Sequence, residues 1–212
     1  MADRYWVGGT ATWDATAGTK WSATSGGPGG ASVPTSADDV YFNAASGAVT
    51  VSTPNGYSPV CRNLNFTGFT GFLNLFNSIT GNISISGGLV LSSDMTIVGG
   101  GTAGGFVFTA TTNNGGAGWP ITTNGKTLRN VTFNGVGGKW QLQDDLTLVS
   151  PGSVLTVTAG HFDTNNHNYT GHRLVSSNSN VRTLSLGSSV ITLGSDVDIS
   201  STGNLTISAN TA

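Results

Sequence analysis

The sequence predicts an all-β protein of the right-handed parallel β-helix (solenoid) class, on the strength of a repeat, a strand periodicity and a composition. A short phrase returns as Leu91-Ser-Ser-Asp94-Met-Thr-Ile97, Leu142-Gln-Asp-Asp145-Leu-Thr-Leu148 and Leu193-Gly-Ser-Asp196-Val-Asp-Ile199, with starts 51 residues apart (142 − 91 and 193 − 142). A fixed period in a strand-rich chain marks coils that bury their apolar faces on one another. Short runs alternate apolar and polar residues, which gives each strand one inward and one outward face. Only 8% of residues are charged and all ten acidic residues are Asp, against about 25% charged in ordinary soluble proteins. Strong helix formers of exposed surfaces are therefore scarce. With 212 residues, the chain has room for roughly 8–9 coils of about 20 residues.

Residues 1–45 form a distinct Trp/Gly-rich N-terminal segment. Trp6, Trp13 and Trp21 lie among Gly, Ala, Ser and Thr, before Pro28 and Pro34. A solenoid end exposes an apolar cross-section and needs a cap. Indole rings suit a cap, since each buries a large area and offers an N–H to a partner. The same three residues are also candidates for a docking surface. The segment ends in Ala37-Asp-Asp-Val-Tyr-Phe-Asn43, which predicts a first strand.

Residues 46–212 read as a solenoid of short strands with the 51-residue super-repeat. Strands are expected at Val49–Val51, Asn63–Phe66, Phe72–Leu75, Ile83–Ile85, Phe106–Phe108, Val131–Phe133, Leu155–Val157, Leu184–Leu186, Val190–Leu193 and Leu205–Ile207. Gly, Asn, Asp and Ser separate them, as turns require. Cys61-Arg-Asn-Leu-Asn-Phe66 echoes Leu128-Arg-Asn-Val-Thr-Phe133 at a different interval (128 − 61 = 67), so loops of unequal length must project. An antiparallel β-sandwich is the alternative. Against it stand the shortness of the strands and the scarcity of hairpin signals, Asn55-Gly56 and Asn124-Gly125 being the exceptions.

The net charge of −2 offers no basic patch for phosphates, which argues against nucleic acid. No apolar run reaches the roughly 20 residues of a membrane helix, and no secretory leader is evident at the start. Cys61, the single cysteine, excludes an internal disulfide framework and reads as a buried thiol among apolar neighbours.

Candidate chemistry is sparse. Glycoside hydrolysis needs two carboxylates flanking a cleft. The recurring Asp94, Asp145 and Asp196 read instead as turn positions, whose side chains bond the backbone just ahead. His161, Asp163, His167 and His172 cluster in sequence without a zinc spacing. Asp38-Asp39 lacks the regular oxygen ligands of a calcium loop. No P-loop, nucleotide fingerprint or Gly-x-Ser-x-Gly elbow occurs. The expectation is a protein without catalytic residues, metal or cofactor.

The segment Arg4-Tyr-Trp-Val-Gly-Gly-Thr-Ala-Thr-Trp-Asp14, with Lys20-Trp-Ser22, Val33-Pro34 and Asp38-Asp-Val-Tyr-Phe42, resembles the opening of β-helical repeat proteins. These occur in tailed-bacteriophage virions, as decoration proteins and tail fibres, and among bacterial surface adhesins. Phe162-Asp-Thr-Asn-Asn166 and Arg182-Thr-Leu-Ser-Leu-Gly-Ser-Ser189 are similar to that group's repeats. The resemblance implies a structural virion protein, either a capsid decoration or cement protein or the base of a tail fibre. Such a protein is assembled in the host cytoplasm, contacts other capsid or tail proteins and forms homo-oligomers, trimers above all. The alternative is a carbohydrate-binding adhesin or receptor-binding module at a bacterial cell surface or on a fibre, with a host surface glycan as ligand. For that alternative Tyr57, Trp119, Trp140 and Tyr169 are the candidate ligand contacts.

Overall fold

The computed structural model describes residues 1–75, 82–98, 104–149 and 151–209. Strands and turns make up the described chain, with two short 3-10 turns at Ala44–Ser46 and Asn114–Gly116. Almost every strand pairing is parallel, and each strand pairs with the equivalent strand of the coils before and after it. This is a β-solenoid of about 7 turns, fewer than the expected number because each coil is longer than 20 residues. Along one ladder Val40 pairs with Leu64, Leu64 with Leu89, Leu89 with Ile121 and Ile121 with Leu142. The steps are 24 (64 − 40), 25 (89 − 64), 32 (121 − 89) and 21 (142 − 121) residues. The long step contains an inserted loop, Thr109–Gly118.

Each coil has three faces. The first carries Asp3–Trp6, Asp39–Tyr41, Leu64–Asn65, Leu89–Val90, Trp119–Thr122, the ends of Asn130–Leu142 and Val154–Asp163, Arg182–Gly187 and Leu205–Ala209. The second is built from two four-stranded sheets. Ala11–Thr12, Thr50–Ser52, Phe72–Asn74 and Thr96–Val98 form one; Thr127–Leu128, Leu146–Leu148, Tyr169–Gly171 and Ile191–Leu193 form the other. The third carries Val60–Cys61, Ile83–Ile85, Gly105–Phe108, the starts of Asn130–Leu142 and Val154–Asp163, Arg173–Val175 and Val197–Asp198.

The two longest strands turn a corner without breaking. Their register shifts between Phe133 and Lys139, and the bend falls on glycines. A Cβ at Gly135 would stand 1.9 Å from the carbonyl oxygen of Ala110, and Gly160 has φ +87°. Only glycine allows both the close coil-on-coil approach and the left-handed backbone. Other turns use asparagine: among the described residues every non-glycine residue at positive φ is Asn, namely Asn114, Asn124, Asn165, Asn166 and Asn204. Asn tolerates the left-handed region better than other side chains. Asn124-Gly125, a hairpin signal by sequence, is such a corner, joining Trp119–Thr122 to Thr127–Leu128.

Inward residues stack from coil to coil. Phe42 lies on Phe66 at 4.7 Å, Phe108 on Phe133 at 5.1 Å and Phe133 on Phe162 at 4.6 Å, all near parallel. Parallel in-register pairing accounts for the first two, because each inward side chain meets its counterpart one strand spacing away, about 4.8 Å; Phe133 is in register with Val157 and reaches Phe162 across the core from the neighbouring face. At the N-terminal end Trp21–Ser22 pairs antiparallel with Asp3–Trp6 and ends the parallel ladder. Trp6, Trp13 and Trp21 are fully buried there, and Trp6 and Trp13 meet Trp21 edge-on at 5.0 and 5.3 Å, over Phe42. Their rings close the end of the core. Of these three, only Trp6 gives its N–H to a partner, the Gly9 carbonyl at 2.9 Å. The parallel rungs begin within residues 1–45, since Asp3–Trp6 pairs in parallel with Asp39–Tyr41 and Ala11–Thr12 with Thr50–Ser52.

Candidate functional site

The fold scatters most of the residues that sequence reasoning singled out. Trp140 and Tyr169 are buried in the core, and the Tyr169 hydroxyl donates to the Arg173 carbonyl. Neither ring is available to a ligand, because period-two alternation turns both side chains inward. Tyr57 is half-buried and packs against the core ahead of Val60–Cys61. Trp119 alone of the tryptophans is not fully buried.

The recurring aspartates all lie at corners, but not at one corner. Asp94 and Asp145 lie between the first and second faces, whereas Asp196 lies between the second and third. Their bonds also differ from the expected local turn. Asp145 Oδ1 accepts the N–H of Asn168 at 2.8 Å, one coil on, and Asn168 Oδ1 accepts the N–H of Val190 at 2.9 Å, another coil on. Asp196 accepts from Arg173 Nε at 3.0 Å and from the Ser195 hydroxyl at 2.8 Å. Asp94 accepts from the Ser93 hydroxyl at 3.3 Å. Asp145 and Asp196 thus tie coil to coil, whereas Asp94 bonds its chain neighbour.

The histidines separate. His161 Nε2 meets the Ser185 hydroxyl at 2.8 Å on the first face, and burial, then Lys139, hold its pKa below the ordinary value against the pull of Asp163. His167 Nδ1 lies 3.8 Å from Asp145. Among the described residues no group of three or more His, Cys or Asp side chains is close enough to hold a metal. Cys61 is fully buried, and its thiol is pushed far up by burial and by Asp39.

A hollow of about 390 Å³ opens on the corner between the third and first faces. Register explains it. Leu64, Leu89 and Ile121 are successive partners, so Arg62-Asn63, Gly87-Gly88 and Trp119-Pro120 occupy the same corner on three successive coils. The outer two pairs carry bulky side chains and the middle pair carries none. A Cβ at Gly88 would lie 2.8 Å from the Pro120 carbonyl oxygen, and one at Gly87 would lie 2.4 Å from Asn63 Oδ1 and 3.2 Å from the Trp119 ring. The notch is thus walled by neighbours that leave no room for a side chain at its floor.

Its walls are held rigidly. Arg62 donates Nε to Asp39 Oδ1 at 2.8 Å and Nη2 to Asp39 Oδ2. Those charge-assisted bonds raise the guanidinium's pKa against the effect of burial. Asn63 Nδ2 donates to Asp39 Oδ1 at 2.9 Å, while Asn63 Oδ1 accepts the Gly88 N–H at 2.8 Å. Trp119 gives its indole N–H to the Thr112 carbonyl at 2.9 Å, which ties the ring to the inserted loop. From that loop Asn114 reaches the rim. Tyr41 borders the other side, stacked on Tyr5 at 4.8 Å and 15°. Its phenol pKa is raised by burial, then by Asp3 and Asp39, so it is a neutral hydroxyl at pH 7.

Sequence reasoning named Trp119 and missed Arg62, Tyr41, Asn114 and the two glycines. Gly87-Gly88 has no local signal in a chain with 32 glycines; only the register of three coils distinguishes it. No protein-family model, characterised protein or solved structure matches the chain.

Proposed function

We propose that this chain is a structural protein of a tailed-bacteriophage particle, a rigid β-solenoid that serves as a capsid decoration or as the base of a tail fibre. The observation that carries the proposal is the uninterrupted coil-on-coil core, from the indoles of Trp6, Trp13 and Trp21 to Leu184, reinforced at the corners by the Asp145–Asn168–Val190 chain of hydrogen bonds. A stack of parallel ladders resists bending and shear, because deforming it breaks many backbone hydrogen bonds together. Its function is mechanical, and its residues act by shape and hydrogen bonding. The Thr, Ser and Asn of the outer faces suit contacts of that kind with capsid or tail neighbours. The likeness of its opening and repeats to virion β-helical proteins supports the same assignment.

The proposal includes self-association as a trimer. Val181, Val190, Val197 and Ile207 in the last coils are 68%, 62%, 49% and 46% exposed, and partner copies would cover such apolar surface. Sedimentation of the purified chain is expected to give three times the 21.5 kDa monomer mass. Mass spectrometry of gradient-purified particles encoded by the same genome tests the main claim. Peptides of this chain are expected at high copy for a capsid decoration and at low copy for a tail component. Particles free of it would overturn the assignment.

A further inference from the structure

We propose that the corner notch formed by Arg62-Asn63, Gly87-Gly88 and Trp119-Pro120 is a binding site for a neutral pyranose of a glycan chain. The inference stands apart from the virion assignment, since it rests on the notch alone.

Size comes first. The outer pairs are two coil spacings apart, roughly 10 Å between backbones, and the hollow of about 390 Å³ falls at the small end of ligand pockets, about 300–1,000 Å³. Asn63, Trp119 and Pro120 close over the glycines, so the open space lies beside them, over Asn65 and Val90 and between Tyr41, Arg62, Asn114 and Trp119. A hollow of that size takes one sugar ring there, and a chain of sugars can leave by the open side.

The chemistry of the walls then selects the ligand. A pyranose has an apolar C–H face and a rim of hydroxyls, each both donor and acceptor. Trp119 is half-buried, with one edge against Gly87 and its N–H already engaged. What it can offer a ligand is its electron-rich face, which attracts the slightly positive C–H groups. The hydroxyl rim would meet planar side chains with fixed directions: the Arg62 guanidinium, the amides of Asn65 and Asn114, and the Tyr41 phenol. Arg62 carries five donors and Asp39 uses two of them, so the others point at fixed angles with little further ordering to pay on binding.

Charge excludes the main competitor. A phosphate or sulfate ligand needs an uncompensated cation. Arg62 is neutralised by Asp39, and Asp3 lies close enough to raise its pKa too. The notch is polar and close to neutral, which favours hydroxyls over anions.

The test uses a property of the chain. Trp6, Trp13, Trp21 and Trp140 are fully buried, so Trp119 dominates the part of the fluorescence that acrylamide quenches. The probes are maltohexaose, cellohexaose, laminarihexaose and chitohexaose. At least one is expected to shield Trp119 from acrylamide at about 10 mM, roughly tenfold above a ~1 mM dissociation constant. Calorimetry should then show binding weakened at least tenfold in Trp119→Ala and retained within a few-fold in Trp119→Phe. Should Trp119→Ala fail to fold, Asn114→Gly takes its place, because glycine accepts the φ of +48° found there; it is expected to bind severalfold more weakly with an unchanged melting temperature. The proposal is overturned if none of the four probes protects Trp119. It is equally overturned if a heparin fragment protects it better than every neutral probe, or if Trp119→Ala folds and binds as well as the parent.

Discussion

Arg182 is the residue that departs furthest from expectation. It is 1% exposed and pairs with no carboxylate among the described residues. Its guanidinium is instead wrapped by neutral acceptors. Nε donates to the Ser176 hydroxyl at 2.8 Å, Nη1 to the carbonyls of Asn180 and Gly203 at 2.7 and 3.0 Å, and Nη2 to the Ser176 carbonyl at 3.0 Å and to that of Ser201. These carbonyls belong to two successive coils, at the corner where the backbone leaves the ladder and has no strand partner of its own. The side chain therefore supplies hydrogen bonds that secondary structure does not. A buried acceptor left without a donor costs about 1–3 kcal/mol, and several would be orphaned together. Arg182→Met is expected to destabilise the chain by about 3–5 kcal/mol, the sum over two or three such acceptors. Arg182→Lys should recover less than half, since an ammonium has three donors without the planar fork. Urea unfolding of the variants checks both; a midpoint unmoved in Arg182→Met would show that water satisfies those carbonyls.

At the scale of the element, Asp38 joins the start of the first rung, Asp3–Trp6, to the next, Asp39–Tyr41. It accepts from the backbone N–H of Ala2 at 2.9 Å, and from the N–H and hydroxyl of Thr35 at 3.1 and 2.8 Å. Burial alone would raise its pKa, but the bonds from Thr35 and Ala2, with Arg4 nearby, bring it below the ordinary carboxylate value. Asp14 behaves alike, its burial outweighed by Lys20 and Thr16. A folded-state pKa below the unfolded value, near 3.9, contributes stability that is complete above that value. The contribution is lost as the pH falls through the folded pKa. The N-terminal segment should therefore loosen in acid before the remaining coils do. Below about pH 4, acrylamide should begin to reach the buried indoles while far-ultraviolet circular dichroism holds. Asp38→Asn should show that loosening already at pH 7 and change less on acidification. Simultaneous loss of both signals in the parent would place the acid-sensitive link elsewhere.

The elements were largely legible because strand alternation is local. Ile83–Ile85 is observed as expected, and Val131–Phe133 and Leu155–Val157 are the starts of longer strands. Two-residue strands such as Leu89–Val90 are too short for any period to show. The repeat carried a different meaning from the one its spacing suggested. Leu142 is in register with Leu89, not Leu91, and Leu193 is in register with Gly171. Since Tyr169 pairs with both Leu146 and Ile191, the interval from Asp145 to Asp196 spans two coils and one further corner. With three corners in a coil, a motif can return at any of them. The Arg-Asn echo behaves in the same way: Asn63 Oδ1 accepts the N–H of Gly88 and Asn130 Oδ1 that of Val154, each one coil on, at different corners. The echoes record corner chemistry. The notch could not be read from sequence for the same reason, since it needs the register of three coils of unequal length.

The whole molecule is a one-dimensional stack, in which each coil touches mainly its two neighbours. Stability is then close to a sum over coils and their interfaces, which predicts what happens when a coil is removed. Trp140 pairs with Phe162, and Phe162 with Leu184. Deleting residues 141–162 excises one coil and joins Trp140 to Asp163 in the position of Gln141, its own ladder partner. Every inward side chain beyond the junction stays inward, and Trp140 comes to lie over Leu184. Deleting only 141–151 removes the second-face strand Leu146–Leu148 and joins the first face directly to the corner before the third, so that no later strand can find its ladder. The full-coil deletion is expected to fold, with a β-sheet circular dichroism spectrum and a denaturant slope reduced by about one tenth, in proportion to the surface no longer buried. The half-coil deletion is expected to aggregate or to lose the spectrum. In a globular β-sandwich of the same length, both deletions would remove strands from a shared core and both should fail. Survival of the full-coil deletion beside failure of the shorter one therefore separates a stack from a sandwich in solution, and failure of both would mean that the coils are not energetically independent.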